Sequence, residues 1–544
     1  MRATTVILIF LLVGTDLVWN LMYLNIGLVD FYVLASFAHG LVAHGAWPAT
    51  PYFPAGYPLL LVPAGLAGSA LIGGYILSAG GMALALWALY RLARLWGAAP
   101  AWALAAVVLG WLSPVCQVTA GSPSIDALYT GLGLWFLAAA LALWLCRTPA
   151  LDASAGAAAL PRWALWGLYL PAAALPLLRY HAVVLLLPVL LVLLIWRRSA
   201  WRLVLPVLVL TVLVVAFNQL SWRALYGEAL PGVAVLQVRT GIEHDTPQYY
   251  ATPEELNRDY AALAARARTV PLTADYSWAV IVQHTLHSWT YYLRRPAVVL
   301  AAAAVLLALV LRAPLPAGVL LSLLWLLGYT LALSPAYYTS RAALLPVLVA
   351  LATLLAAVCA LAERRAWRYA PLIAAVVLVG GNAVASRFVR ADYTRRTTAA
   401  ALLPRVDALV TEHGLAPDEV IALDGELFPR RDNPWTKTYA AFWRGWPDDP
   451  AIRPAQVAAL VDYDLADVAA GRGKLPRMIL CPKPRLSTEF AVLAESEYWQ
   501  RAGELNSLVI LLPRAPAVSA SDASAPAGGA AAADPPPAGG ASAP

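Results

Sequence analysis

Long apolar runs constrain this chain more than any other feature of its sequence. Hydrophobic residues occupy 61% of its 544 positions, and charged residues only 13%. A soluble globular protein keeps about a quarter of its residues charged, so most of this chain's surface is predicted to face lipid. A helix needs roughly 20 apolar residues to cross the hydrocarbon core of a bilayer. The sequence therefore predicts a polytopic α-helical membrane protein.

The apolar runs predict about eleven transmembrane helices by this length criterion. The predicted spans are 5–24, 69–90, 100–118, 124–146, 162–178, 181–196, 203–222, 297–311, 314–333, 342–361 and 370–387. No small-residue cleavage site follows the first run, which is therefore predicted to be an anchor and not a signal peptide. An odd number of spans places the two termini on opposite sides of the membrane.

The distribution of arginine predicts the orientation, because cytoplasmic loops of membrane proteins carry an excess of basic residues. With the N-terminus in the cytoplasm, the inner segments carry Arg2, Arg91, Arg94, Arg147, Arg162, Arg197, Arg198, Arg202, Arg312, Arg364, Arg365 and Arg368. The short outer loops carry only Arg179 and Arg341. The net charge of +7 is thus explained by membrane topology, and no nucleic-acid partner is predicted.

Three segments are predicted to face outward: a loop at 25–67, a longer loop at 223–296, and the region after the last span. Within residues 391–514 the short apolar runs at 419–423, 477–481, 490–493 and 507–512 predict strands separated by helical stretches. This pattern indicates a small extracytoplasmic α/β domain. Residues 515–544 are rich in Ala, Pro and Gly and are predicted to be disordered. The four cysteines form no disulfide or metal-binding pattern.

The first outer loop is the most informative stretch for function. Asp30 opens a predicted amphipathic helix on the membrane face, and a Pro- and Gly-rich segment follows at 48–58. An acid held just outside the bilayer is suited to accept a proton from an incoming hydroxyl or amine. An acid at a helix start is equally explained as an N-cap favoured by the helix dipole. The two interpretations are compatible.

This loop resembles the first outer loop of the C-superfamily (GT-C) glycosyltransferases, nearest to the aminoarabinose transferase and protein mannosyltransferase (family 39-like) branch. The residues that carry the resemblance are Asp30, Tyr32, Ala38, Gly45, Pro54, Gly56, Tyr57, Pro58, Leu59, Leu60 and Leu61. The resemblance covers about residues 1–390. Enzymes of this family transfer a sugar from a polyprenyl-phosphate carrier to an acceptor on the outer face of the membrane. The resemblance implies an inverting glycosyltransferase of the bacterial inner (plasma) membrane.

The same resemblance implies catalytic roles for Asp30, as the base, and for Asp126, near the reaction centre. Phe31 and Tyr32 follow Asp30 where better-known members often carry a second acid, so a metal or acid-pair role does not transfer. For Asp126 a structural explanation competes, because Ser124 is a good N-cap and places this acid in a first helical turn.

A departing polyprenyl phosphate requires neutralising arginines near the outer interface. Arg179 with Tyr180, and Arg341 in its S-R-x-x-L-L-P segment, occupy places comparable to family motifs, and the resemblance assigns them and Tyr57 to substrate binding. The competing interpretation of the two arginines is that their side chains extend to lipid headgroups.

The long loop ends in a stretch that predicts an amphipathic helix at the membrane surface. It carries Arg294 and Arg295, which are candidates for contact with the donor phosphate or with anionic lipid. His284 and His287 are weak metal candidates, because two histidines three residues apart lack a third ligand. Divalent-metal dependence stays open. Asp16, inside the first span, ranks below Asp30 because its surroundings match no known motif.

Two alternatives to an enzyme stay open. A transporter or a flippase for a lipid-linked sugar also combines apolar spans with a few charges, although no related halves are visible. A structural membrane protein with an exposed interaction domain leaves the loop pattern unexplained. The run from Gly73 to Gly81 is predicted to permit close helix packing and not to bind nucleotide. The sugar and the acceptor (lipid, protein or polysaccharide) are not indicated by the sequence.

Overall fold

The computed structural model describes most of the apolar part of the chain and the last third of the predicted outer domain. The described stretches are 3–23, 54–67, 70–120, 123–146, 160–197, 200–226, 270–336, 342–363, 373–380, 421–423, 457–459, 464–473, 475–488, 490–505 and 508–514, with isolated positions between them. They divide into two compact units, 1–462 and 463–544.

The first unit is built almost entirely of helices. They are α1 (Ala3–Tyr23), α2 (Gly56–Leu66), α3 (Ala70–Leu95), α4 (Pro100–Trp111), α5 (Pro114–Ala120), α6 (Ile125–Leu145), α7 (Arg162–Leu178), α8 (Ala182–Trp196), α9 (Trp201–Tyr226), α10 (Leu272–Asp275), α11 (Trp278–Leu293), α12 (Pro296–Val310), α13 (Ala317–Leu333) and α14 (Leu344–Ala362). Residues 373–380 are also helical. Two short strands, β1 (Ile421–Leu423) and β2 (Val457–Ala459), pair in parallel.

The first ten predicted spans each coincide with a helix, although the third is split into α4 and α5 around Leu112 and Ser113; of the eleventh, only 373–380 is described, as helix. Within the described residues, four helical stretches are long and apolar enough to cross a membrane: Ile72–Leu95, Ile125–Leu145, Trp201–Ser221 and Leu344–Ala362. The pair α11 and α12, bent by 79° at Arg294–Arg295, raises this number to five if it forms one span. The other apolar helices are shorter, so about eleven crossings stays a prediction.

The burial of the helices follows their composition. α14 is buried along nearly its whole length, whereas α9 exposes Leu213, Phe217 and Leu220 at 60%, 65% and 68%. Large apolar side chains exposed to this extent have no favourable solvent except lipid. A nearly fully buried helix, together with helices that expose apolar side chains, is the pattern expected of a membrane domain.

Small residues allow the central helices to pack at short range. α6 lies between α3 and α7. A Cβ atom at Gly81 of α3 would overlap the backbone of Leu128, and one at Gly131 of α6 would overlap the carbonyl oxygen of Gly81. Glycine is needed wherever two helix backbones approach this closely. The predicted packing role of the Gly73–Gly81 run is confirmed at Gly81.

The predicted helix in the first outer loop is partly described. Phe31, Leu34, Ala35 and Ala38 are helical and buried, at the spacing of one helix face. Asp30 lies outside the described residues. Asp16 lies inside α1 and is partly buried.

The second unit contains a small antiparallel sheet. β3 (Met478–Pro482) pairs with β5 (Leu508–Pro513), and β5 pairs with β4 (Trp499–Leu505) through a bulge near Arg501. Three short helices accompany it: α15 (Leu465–Ala469), α16 (Lys483–Leu486) and α17 (Ala491–Ala494). The predicted boundary at residue 390 stays a prediction, since most of 381–463 lies outside the described residues, as does 515–544.

One predicted strand is wrong, and two strands, β2 and β4, were not predicted. Residues 490–493 form no strand, because the Ala-Val-Leu-Ala run favours the helix α17, with Phe490 as its N-cap and with Phe490 and Leu493 buried one turn apart. β4 alternates weakly, because Trp499 is buried but Gln500, Arg501 and Ala502 are all exposed. Its strand conformation depends on pairing with β5, which a local pattern does not reveal.

We expect Gly81→Ala to destabilise the protein by about 1–3 kcal/mol, because the added methyl group must separate α3 from α6. Gly80→Ala is the matched control, since no atom lies within 4 Å of a Cβ built there. Thermal unfolding of both purified variants in detergent measures the difference. Equal melting temperatures would show that the two helices do not pack as described.

Candidate active site

The candidate site begins at the N-terminus of α6. Ser124 has an extended backbone, and its Oγ accepts a hydrogen bond from the Asp126 N–H at 3.0 Å. The same hydroxyl donates to Asp126 Oδ2 at 3.2 Å. The predicted N-cap is therefore confirmed. The cap places the Asp126 carboxylate in the first turn, where the helix dipole favours a negative charge.

A serine on α3 holds this cap in place. Ser78 Oγ accepts from the Ser124 N–H at 2.7 Å and donates to the Ser124 carbonyl oxygen at 3.1 Å. Both serines are buried. One turn earlier on α3, Gly74 lies against Phe31 and Pro123, and a Cβ there would overlap both. The start of α6 is thus attached to α3 by two hydrogen bonds between the Ser78 side chain and the Ser124 backbone, and by close packing.

The second half of the site is the C-terminus of α7. Arg179 has an extended backbone that ends the helix, and its N–H still bonds to the Leu175 carbonyl at 2.9 Å. From α9, Asn218 Nδ2 donates to the Pro176 carbonyl at 3.0 Å. The last carbonyls of a helix have no partner within it, so Asn218 stabilises this terminus.

The two helix ends meet in a buried ion pair. Arg179 Nη2 lies 2.7 Å from Asp126 Oδ1, and the two residues are only 8% and 9% exposed. Removing two charges from water costs several kcal/mol for each ion, and the attraction between them offsets this only when the geometry is good. An apolar pair of similar size would fold at least as well, so an ion pair inside an apolar bundle is a candidate for function.

Tyr57 of α2 contributes a neutral hydroxyl to the same region. Its neighbour Gly56 lies directly on the backbone of Leu177, near the end of α7. Burial, and secondly the Asp126 carboxylate, raise the pKa of Tyr57 above its ordinary value, and the Ser78 hydroxyl acts in the opposite direction. Tyr57 therefore remains protonated at physiological pH and keeps a hydrogen atom to donate.

His181 lies in the turn that joins α7 to α8, two residues after Arg179. Its ring meets the edge of the Tyr129 ring, with centroids 4.9 Å apart. Tyr180, assigned to substrate binding, lies in the same turn and is partly buried.

Other predicted site residues show local contacts elsewhere in the first unit. The exposed Arg294 donates to the carbonyl and the hydroxyl of Thr290, both at 3.3 Å. Arg295 is the N-cap of α12, and its guanidinium lies 4.3 Å from the Tyr291 ring centroid. Arg341 lies outside the described residues, so its position relative to the ion pair stays a prediction.

The two candidate metal ligands, His284 and His287, lie in the described part of the chain, but the described residues around them form no metal-binding arrangement. His284 Nε2 lies 3.2 Å from the Pro335 carbonyl oxygen, and the His287 carbonyl accepts a hydrogen bond from Thr290. Within the described part of the chain no group of three or more His, Cys, Asp or Glu side chains could hold a metal ion. Neither residue gains support as a ligand.

Sequence reasoning missed Ser78, Asn218 and Tyr129. Tyr129 follows Asp126 by three residues, a spacing that places both on one helix face and that the sequence displays. Ser78 and Asn218 carry no such local signal, because their partners are 46 and 42 residues away in the chain.

No protein-family model and no curated protein matches the chain. The solved structures that resemble it over nearly their whole length include two of ArnT from Cupriavidus metallidurans. The structure described as bound to undecaprenyl phosphate shares 14% identity at a TM-score of 0.43 and covers 94% of this chain and 98% of its own. The apo structure shares 16% identity at a TM-score of 0.33, with 92% and 97% covered.

We expect Asp126→Asn and Arg179→Gln each to destabilise the protein by about 3–5 kcal/mol, because each leaves one buried charge without its partner. The double variant should lose less than the sum of the two. Chemical unfolding in mixed micelles measures all three. The exposed pair Asp467–Arg472 is the control, and Arg472→Gln should cost less than about 1 kcal/mol. Additive losses would mean that the two charges do not interact.

Proposed function

We propose that this chain is a membrane glycosyltransferase that transfers a sugar from a polyprenyl-phosphate carrier to an acceptor on the outer face of the bacterial inner membrane. The observation that carries the proposal is the buried Asp126–Arg179 ion pair, where the N-terminus of α6 meets the C-terminus of α7. The pair places a guanidinium at a helix end inside an apolar bundle. Such a guanidinium suits a phosphate that is attached to a lipid tail.

Arg179 is proposed to bind the phosphate of the donor. As the bond between sugar C1 and the phosphate oxygen breaks, negative charge grows on the departing polyprenyl phosphate. A planar guanidinium matches phosphate as well as carboxylate geometry, so Arg179 can exchange part of its contact with Asp126 for the donor. A charge-stabilising group placed beforehand in a water-poor site contributes more than the same group in water. The protonated Tyr57 adds a neutral hydrogen-bond donor.

Asp30 is proposed as the general base. In a single inverting displacement, the acceptor forms a bond to C1 from the face opposite the phosphate. The proton of the acceptor passes to the Asp30 carboxylate while polyprenyl phosphate departs. Phe31, the next residue in the chain, packs on Gly74, which also touches Pro123 beside the Ser124 cap. Asp30 itself lies outside the described residues, so its place near Asp126 is part of the proposal. Asp126, paired with Arg179, would stay ionised and orient the substrates.

Further residues are proposed to complete the donor site. Arg341, Tyr180 and the pair Arg294–Arg295 would contact the phosphate or adjacent headgroups from the outer side. In this topology the N-terminus is cytoplasmic and the C-terminal domain faces outward, near the acceptor. The sugar, the acceptor and any requirement for a divalent metal are left open.

A flippase for a lipid-linked sugar is the competing function. Carrying a headgroup across the bilayer requires polar contacts along the path between the two faces. Ser78, Ser124, Asp126, Arg179 and His181 instead form one group where α6 begins and α7 ends. A polar cluster at one level of the bundle favours a reaction site.

The test is transfer by the purified full-length chain in lipid nanodiscs, with radiolabelled polyprenyl-phosphate sugars and a crude envelope acceptor fraction. We expect loss of label from the carrier with the wild type. Asp30→Asn should be slower by about 10²–10⁴-fold, the usual contribution of a general base. Arg179→Lys, which keeps the charge but loses the planar fork, should be slower by about 10²-fold.

Matched controls separate chemistry from folding. Asp467→Asn and Arg472→Gln change exposed residues of the second unit and should retain full activity. Melting temperatures establish that each variant is folded. Activity of Asp30→Asn near the wild-type rate would remove Asp30 as the base. The flippase would be favoured if every labelled carrier kept its sugar and if lipid-linked sugar crossed the membrane of vesicles that contain the protein.

A further inference from the structure

A pair of buried tyrosines, one on α6 and one on α13, lies close to the ion pair. Tyr129 Oη of α6 lies 3.2 Å from Tyr329 Oη of α13, and the two residues are only 4% and 3% exposed. A hydroxyl inside an apolar bundle must find a partner within the protein. The hydrogen bond between the two phenols therefore fixes α13 against the first turn of α6.

Both rings are held from the side as well. The Tyr129 ring meets the His181 ring at 67°, and the Tyr329 ring stacks on Trp325 at 4.8 Å with an angle of 13°. Tyr129 thus touches the turn that carries Arg179, while its own helix carries Asp126. A displacement of this ring would move the two partners of the ion pair relative to each other.

We propose that Tyr129 and Tyr329 are positioning residues for Arg179, which fix the turn at 179–181 so that the guanidinium can meet a donor phosphate. This inference rests on the proposed function, in which Arg179 binds the phosphate of a polyprenyl carrier. Neither tyrosine needs to touch the substrate. The physical reason is geometric, since a guanidinium binds phosphate in the bidentate mode only when two of its N–H groups are aligned with two phosphate oxygens.

The decisive measurement is the binding of undecaprenyl phosphate to the full-length chain in nanodiscs, with Kd taken from native mass spectrometry. Tyr129→Phe keeps the ring against His181 but leaves the Tyr329 hydroxyl without its partner. Tyr329→Phe keeps the ring against Trp325 but leaves the Tyr129 hydroxyl without its partner. We expect each single variant to raise Kd by about tenfold. The double variant leaves no unpaired hydroxyl of the pair and should weaken binding by less than the product of the two single effects.

Thr353→Val is the matched control, because it also removes a buried hydroxyl, one that bonds within its own helix to the Val349 carbonyl. It should leave Kd within about twofold of the wild type. If the tyrosine variants and Thr353→Val weaken binding alike, general loosening of the bundle explains the effect and the positioning role is refuted. Unchanged Kd in both tyrosine variants refutes it as well.

The failure of the proposed function has a different signature. If the wild type itself shows no binding of undecaprenyl phosphate, Arg179 is not a donor site, and the positioning role falls with it. Binding by the wild type with loss in Tyr129→Phe, at a melting temperature equal to that of Thr353→Val, supports both proposals. That combination cannot arise from a change in stability alone.

Discussion

The buried contact between Asp126 and Arg179 is the interaction on which the rest of the bundle depends. An unpaired charge at either position would be strongly destabilising, so both helix ends must be held where the two side chains meet. The hydrogen bonds around them satisfy this requirement on each side. Ser124 caps α6 and bonds to the carboxylate, while Asn218 completes the end of α7. The polar atoms in this region serve the geometry of one ion pair.

One face of α3 makes this arrangement sterically feasible. Gly74, Ser78 and Gly81 follow each other at intervals of four and three residues, so they lie on the same side of the helix. The two glycines let the backbone of α3 approach Pro123 and Leu128 without a Cβ between them. Only at that separation does the short side chain of Ser78 reach both backbone groups of Ser124. Close packing and hydrogen bonding are therefore one feature of the sequence.

The sequence predicts these elements well but not the way in which they meet. Apolar runs of helical length indicate the helices, and Ser124 indicates the cap, because both signals are local. Asp126 and Arg179 were each identified from position and family resemblance, but their pairing spans 53 residues and depends on how α6 and α7 pack. The hairpin partner β4 was missed for the same reason. Residues 490–493 were assigned to a strand because a four-residue apolar run does not distinguish a strand from a helix.

Charge balance restricts how such a site could handle a leaving phosphate. With Tyr57 protonated, the charges of Asp126 and Arg179 cancel, and this group of three residues carries no net charge. A sugar phosphodiester brings one negative charge, and the phosphate monoester released from it carries between about 1.5 and 2 at pH 7. In this group Arg179 alone can bind the charged product, and Asp126 competes with the product for the guanidinium. A glycosyltransferase built on this ion pair needs at least one more cation facing the phosphate. The residues predicted from the sequence that are able to supply that cation are Arg341, Arg294 and Arg295. A flippase, by contrast, would gain from a site that releases its phosphate readily.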